Sequence, residues 1–366
     1  MEEEAGKCGA GYLSRTTMAC MINAEIGVVL AVMRRNIRWG VHYMSDEDQL
    51  EHSLVQSLKN LRKQIFSWQS HWHVIDPVLY LRSFLDVIQS DETGAPITGV
   101  ALSSIYKILT LDVIDQNTVN VGDAMHLVVN AVTSCRFEVT DPGSEEVVLM
   151  KILQALLACV KSKASVMLSN QHICTIVNTC FRIVYQAGTK SELLQRIECY
   201  TMHELVRFIF CHLQDIDVTE HAFVNGSTAL KEEIDGVKNE HHSTNTQLEN
   251  GSLISASDSQ YVSTGIASNI MTDVAAILVD VNTAASSGKE TDLNEQLMNE
   301  PHGIPCMLEI FHFLCSLLNI AEHMGMSPRS NTIAFDEDVP LFALTLINSA
   351  IELGGSSFHR HPRLLR

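Results

Sequence analysis

Apolar residues recur every third or fourth position through most of this chain, which is the spacing of one buried helical face. Thr17 to about Arg38 reads as a first helix, with Met21, Val28, Val29, Val32 and Met33 as its apolar stripe. Ser45 opens a second, with Asp46, Glu47 and Asp48 at its positive end and Leu50, Leu54, Leu58, Leu61 and Ile65 as its stripe. Pro77 suits a first helical turn before Leu79, Phe84, Leu85 and Ile88. Further helices are predicted from Thr98 to Leu109 and from Asp123 to Phe137. Another runs from a Ser144 cap through Val147 to Val160, then one from Ser169 to a Gly188 C-cap, and one from Ser191 to Leu213. Alternating β-branched runs bounded by hairpin turns are missing from the pattern. Helix pairs spaced by roughly 40–45 residues match the weak period of armadillo and HEAT units. The predicted fold is all-α, an armadillo/HEAT-like α-solenoid.

The periodicity stops near Asp215 and resumes near Pro305. Between Asp215 and Glu300 stand 15 acids and 3 lysines, a balance of −12, among Ser, Asn, Gly and Thr. Such a composition cannot bury enough apolar surface to order itself, so 215–303 reads as a disordered acidic linker, with Ile266 to Val281 as one short helix inside it. Beyond it, Met307, Ile310, Phe311, Leu314, Leu317 and Leu318 form a stripe. Asp338 caps a last helix from Val339 to Leu353, ended by Gly354-Gly355. The expected division is a disordered 1–15, a helical domain over 16–214, the linker, and a second helical segment over 304–366 that reads as the start of a longer array.

Composition narrows the chemistry. The 366 residues are 46% hydrophobic, enough for a sizeable core, and the net charge of −18 argues against nucleic acid as a partner. Ten cysteines include no C-x-x-C, which suits a reducing compartment and no zinc knuckle. Asn225-Gly-Ser and Asn250-Gly-Ser match the glycosylation sequon but read as accidents in a polar linker. The acidic N-terminus is not a signal peptide, and no uninterrupted apolar run approaches the ~18–20 residues of a membrane span, so membrane contact is expected to be peripheral.

Motifs for catalysis fail on spacing. Gly188-Thr-Lys-Ser looks like the tail of a phosphate loop, but Ile183 stands where its first glycine belongs. His71-Trp72-His73 and His241-His242 lack a third metal ligand, and Met202-His203-Glu204 lacks the second histidine of a zinc-protease helix. No G-x-S-x-G elbow occurs, and Cys159 and Cys180 sit on apolar faces as small core residues. No cofactor is expected. Arg34, Arg35 and Arg38 with Lys59, Arg62 and Lys63 form two basic clusters on consecutive helices. They suit an anionic membrane or partner surface, or simply favour helix C-termini. Lys107 is the only lysine or arginine between Arg82 and Arg136, on an otherwise apolar helix. It needs an acidic partner or a route to solvent, and Glu146 is the candidate acid.

Two segments carry a family signature: Ser90-Asp-Glu-Thr-Gly-Ala-Pro-Ile-Thr-Gly-Val-Ala-Leu-Ser-Ser-Ile-Tyr-Lys and Ser134-Cys-Arg-Phe-Glu-Val-Thr-Asp-Pro-Gly-Ser-Glu-Glu-Val-Val-Leu-Met-Lys. Supporting strings are Ala31-Val-Met-Arg-Arg-Asn-Ile-Arg-Trp, Tyr80-Leu-Arg-Ser-Phe-Leu-Asp-Val-Ile, Thr201-Met-His-Glu-Leu-Val and Glu309-Ile-Phe-His-Phe-Leu-Cys-Ser-Leu-Leu. The chain resembles the N-terminal regulatory region of large ARF guanine-nucleotide exchange factors, the GBF/GNOM class, in its plant GNOM-like branch. The resemblance implies a dimerisation and cyclophilin-binding domain over 16–214 and the start of the upstream homology region over 304–366. It also implies self-association, contact with that upstream region, cyclophilin as a possible partner, and peripheral cytoplasmic placement on Golgi or endosomal membranes. Lys107 and Glu146 stand where the family associates a lysine and an acid with interdomain contact. The family's catalytic Phe-Arg-Leu-Pro-Gly-Glu loop and its later Asn-x-Asp-Cys-Asp box do not occur in the sequence. The chain is therefore expected to be non-catalytic and to meet the ARF GTPase only through a catalytic domain it does not hold. An independent armadillo-type adaptor in membrane traffic is the alternative.

Overall fold

The computed structural model describes residues 15–35, 52–138, 141–187, 191–213, 296–319, 338–361 and 364. Among them lie α1 (Arg15–Arg35), α2 (Ser53–Gln64), a 3-10 segment (Ile65–Val74), α3 (Pro77–Gln89), α4 (Ala95–Thr110) and α5 (Val121–Thr133). These are followed by α6 (Pro142–Lys161), α7 (Asn170–Ala187), α8 (Glu192–Cys211), α9 (Ile304–Ser316), α10 (Asp338–Gly354) and α11 (Ser356–Arg360). No strand occurs among the described residues, only two isolated bridges.

The helices form two rows. α2, α3, α5, α7 and α9 pack side by side in one; α1, α4, α6, α8 and α10 do so in the other. Each pair α3/α4, α5/α6, α7/α8 and α9/α10 spans the rows, and the first three pairs start at Pro77, Val121 and Asn170, 44 and 49 residues apart. This is the predicted α-solenoid. The core runs continuously between the rows, from Ile22, Ile26 and Met33 on α1 to Leu346 and Ala350 on α10. The described residues before Val218 and from Leu297 onward form one compact unit, so α9 and α10 extend the same array across the long insertion.

Several predicted starts move. Helix α4 begins at Ala95 rather than Thr98, with Gly94 as N-cap and Pro96 in the first turn. Thr98 is instead fully buried, its hydroxyl 2.9 Å from that of Thr93. Helix α5 begins at Val121, after Asn120 in left-handed conformation, and ends at Thr133 rather than Phe137. Asp141, not Ser144, caps α6: its carboxylate accepts from the Ser144 amide at 2.8 Å. His52, extended at φ −54° and ψ 138°, starts α2 afresh at Ser53, so the helix expected from Ser45 is interrupted there. Residues 297–303, expected in the linker, belong to the array. The remainder of that linker, Ser45, Gly188 and His241-His242 lie outside the described residues.

On α1 the buried apolar positions are Ala19, Ile22, Ile26, Val29, Leu30 and Met33, while Val28 faces solvent. The expected stripe was rotated because α1 is apolar almost all round and its periodicity has little contrast. By length and composition α1 is in fact long and apolar enough to cross a membrane: Thr17–Arg35 has a mean hydropathy of 1.5. Here its inner face packs against α2, the 3-10 segment and α4.

Candidate functional site

The two segments that carry the family signature meet each other. Pro96 opens α4 and Ile97 enters the core, while Gly99 leaves room on the α6 side. A Cβ at Gly99 would lie 3.4 Å from Lys151 Cδ and 3.8 Å from a Val148 methyl, so the lysine stem lies across the glycine. Beyond it the Lys151 ammonium donates to Ser103 Oγ, one turn along α4. Lys107 follows one turn later on the same face.

The acid that Lys107 finds is Glu25. Its ammonium donates to Glu25 Oε1 at 2.7 Å, and Ser104 Oγ donates to Glu25 Oε2 at 2.9 Å. Glu25 is 7% exposed on the buried face of α1, whereas the Lys107 side chain is 48% exposed. A buried carboxylate is thus held by two donors three residues apart on one face of α4, which supplies the hydrogen bonds its burial requires. Lys151 has no carboxylate partner among the described residues. Burial, and then the like charge of Lys107, hold its ammonium below the usual lysine range. The centre therefore carries two cations and one anion.

Glu146 is engaged elsewhere. Its carboxylate accepts the Ser191 amide at 3.1 Å and the Ser191 hydroxyl, and Ser191 Oγ in turn accepts the Leu194 amide at 3.4 Å. Glu146 thereby extends the cap of α8, where the helix dipole favours an anion. α4 and α6 run side by side with Gly99 level with Val148 and Lys151. At 1.5 Å rise per residue, Lys107 and Glu146 stand roughly 17 Å apart along the helix axes. They do not pair within the chain. Glu25, the true partner, was missed because a lone acid inside an apolar stripe carries no signal of a contact 82 residues away.

The basic residues are also divided. Arg62 Nε donates to Asn23 Oδ1 at 3.1 Å, placing the end of α2 beside the N-terminal half of α1. Arg34 and Arg35 are exposed at the other end of α1, about 16 Å away at helical rise. Lys63 is exposed, Lys59 half-buried, and Arg38 lies outside the described residues.

Other sequence candidates resolve into structure. His71, Trp72 and His73 lie in the 3-10 segment, and their side chains are outside the described residues. Ser191, the end of the phosphate-loop look-alike, is the α8 cap. Met202 is core, His203 stacks edge-on to Phe342, and Glu204 pairs with Lys161 and with Arg207 at 3.3 Å. Cys159 and Cys180 are fully buried, and burial pushes the Cys159 thiol up to about 12. Among the described residues no three His, Cys, Asp or Glu side chains gather as metal ligands. A groove of about 400 Å³ lies between Tyr106, Leu109, Leu157 and Tyr200. Its charged members Asp112 and Lys161 are each ion-paired.

A second polar centre joins the two stretches of array. Asn170, 1% exposed at the start of α7, donates to the Leu297 carbonyl at 2.9 Å. Its Oδ1 accepts the Gly303 amide at 2.8 Å and the Cys306 amide at 3.2 Å. Gly303 is the N-cap of α9 and has no side chain to cap it, so Asn170 does so from another helix.

Comparison with known proteins agrees with this architecture. Residues 49–215 match the Mon2/Sec7/BIG1-like dimerisation and cyclophilin-binding domain, and residues 303–366 match the Mon2/Sec7/BIG1-like HUS domain. The chain is 63% identical over 351 residues to the ARF guanine-nucleotide exchange factor GNOM of Arabidopsis thaliana, covering 96% of this chain and 24% of that protein. It is 59% identical over 362 residues to the ARF guanine-nucleotide exchange factor GNL1 of the same plant, again covering 96% and 24%. A Caenorhabditis elegans homolog of the Golgi-specific brefeldin A-resistance guanine nucleotide exchange factor 1 is 29% identical over 208 residues, 56% of this chain and 10% of that protein. The chain belongs to the Mon2/Sec7/BIG1-like family and corresponds to the N-terminal region of a GNOM-like ARF exchange factor. It spans about a quarter of the length of the plant relatives it matches.

Proposed function

We propose that this chain is a non-catalytic regulatory module of an ARF guanine-nucleotide exchange factor, acting in vesicle-mediated transport by self-association and membrane recruitment. The observation that carries the reading is the match of residues 49–215 to a dimerisation and cyclophilin-binding domain. Neither matched domain is the catalytic one, so an ARF GTPase is met through another part of the parent protein. Lys107 and Glu146 belong to the association surface, the first presented from α4 and the second beside the α8 cap. Cyclophilin is a partner by the same domain match. The divided basic residues, Arg34 and Arg35 at the end of α1 and Lys59, Arg62 and Lys63 on α2, together with Arg38, contribute peripheral contact with anionic Golgi or endosomal membranes from the cytoplasmic side. The Golgi-specific name of the nematode relative supports that placement.

Co-expression of two differently tagged copies of residues 1–366 tests the reading. Capture through one tag should retrieve the other copy in comparable amount. Absence of the second copy at micromolar expression levels would remove self-association from the account.

A further inference from the structure

We infer that Glu25 is a positioning residue for the self-association surface, fixing α1 and the Lys107 ammonium together. The inference rests on the self-association reading and extends it to a residue on a different helix. Among the described residues α1 is the edge of its row, held against α4, α2 and the 3-10 segment. Its buried face is hydrocarbon apart from Glu25, which lies between Ile22, Ile26 and Val29 in the stripe. The carboxylate has two specific donors, Lys107 Nζ at 2.7 Å and Ser104 Oγ at 2.9 Å, both from α4. Apolar packing fixes how deep α1 sits; a directional pair of hydrogen bonds fixes its axial register and rotation.

The same contact decides where the cation stands. Ser103, beside the lysine's own turn, is occupied by Lys151. Without Glu25, Lys107 would face a second, half-buried ammonium and no carboxylate, and would swing toward solvent, away from Lys151. Removing Lys107 leaves Glu25 desolvated with only a serine. A defect in a Lys107 variant therefore combines two losses, a cation at the surface and the register of α1. Glu25 variants separate them, because Glu25 itself presents almost nothing to a partner.

The test compares wild-type 1–366 with Glu25→Gln, Lys107→Ala, the double variant, and the charge exchange Glu25→Lys with Lys107→Glu. Association is read by sedimentation equilibrium and helix protection by amide hydrogen exchange. Glu25→Gln and Lys107→Ala should each weaken association on the order of tenfold. The double variant should be no weaker than the worse single, because residues acting through one contact are not additive. The charge exchange restores the register but not the surface cation, so it should return α1 amides to wild-type protection without restoring association; α1 amides should exchange faster in both singles while α6–α8 keep wild-type protection. Wild-type affinity in Glu25→Gln beside a weakened Lys107→Ala would overturn the inference, as would additive singles. Should Glu25→Gln lose helicity, the folded charge exchange decides: if its α1 amides exchange as fast as those of Lys107→Ala, the inference fails. A monomeric wild type defeats the self-association reading itself, and unchanged α1 exchange in Glu25→Gln then defeats the positioning role separately.

Discussion

Asn170 caps a helix that begins 134 residues after it: its side-chain oxygen accepts the Gly303 amide at 2.8 Å and the Cys306 amide at 3.2 Å. The same side chain donates to the Leu297 carbonyl, and the His302 amide reaches the Leu168 carbonyl at 2.8 Å. The chain's return into the array is thus fastened by hydrogen bonds before any apolar residue of α9 is placed. Asn170→Ala leaves several buried backbone groups without partners. It should cost about 2–4 kcal/mol, since a lost cap is worth ~1 kcal/mol and each stranded buried group ~1–3. Thermal melts give the total, and hydrogen exchange should show α9 opening before α4 and α6. Uniform loss of protection along the array would contradict this.

The far end of the array depends on an absent side chain. A Cβ on Gly354 would stand 2.3 Å from Phe358 Cδ2 and 3.1 Å from Leu213 Cδ2. Phe358 cannot retreat, because it is stacked on Phe210 at 6.1 Å and met edge-on by Phe311 at 5.1 Å. Gly354→Ala should destabilise the chain by about 1–3 kcal/mol, as overpacking of a filled core does. An unchanged melting temperature would mean that the aromatic cluster yields to the added methyl.

Acid should loosen the junction of α5 with α7. The His126 and His172 rings stack at 4.1 Å and 9°, with His172 Nδ1 2.6 Å from Ser169 Oγ. Burial, then the neighbouring His126, hold His172 below its ordinary 6.5; burial, then His212, do the same to His302. Both are favoured as neutral rings in the fold. The unfolded chain takes up their protons first, so their stability is present above pH 6.5 and is lost as pH falls below it. Glu204, held below the carboxylate range by Lys161, loses its share only at more acidic pH. Melting temperature should fall from pH 6.5 toward 5, and His172→Gln should flatten that slope. An equal slope in the variant would clear His172 of the role.

How much of this was legible in the sequence follows from how local each signal is. Ser191, the Pro77 start and the stripe Leu58, Leu61 and Ile65 were readable because cap and period lie within a few residues. The stripe of α1 was not, since Cys20, Ala24, Val28 and Ala31 face solvent and blur the contrast between its faces. Lys107 was recognisable as a charge in need of a partner, but the choice between Glu25 and Glu146 depends on which helices share a row. Asn170 gave no signal, because its partners lie beyond the acidic insertion. The resemblance to the exchange factors identified the family; it did not reveal that Gly99 and Lys151 meet.

The chain itself should not release nucleotide from an ARF. Its sequence holds no hydrophobic loop presenting a glutamate in the Phe-Arg-Leu-Pro-Gly-Glu pattern. A fluorescence exchange assay at micromolar chain should give the spontaneous rate. Stimulation that survives repurification would show catalytic residues outside the family pattern.

Light scattering coupled to gel filtration tests the central claim, self-association through the α4–α6–α8 row. Wild-type 1–366 should elute at about twice its 40.6 kDa mass at micromolar concentration. Lys107→Ala combined with Glu146→Ala should shift it toward the single-chain mass with helicity intact, because truncating charges desolvated at an interface costs ~2–5 kcal/mol. A wild type at 40.6 kDa, or a double variant that stays fully paired down to nanomolar concentration, would contradict the account.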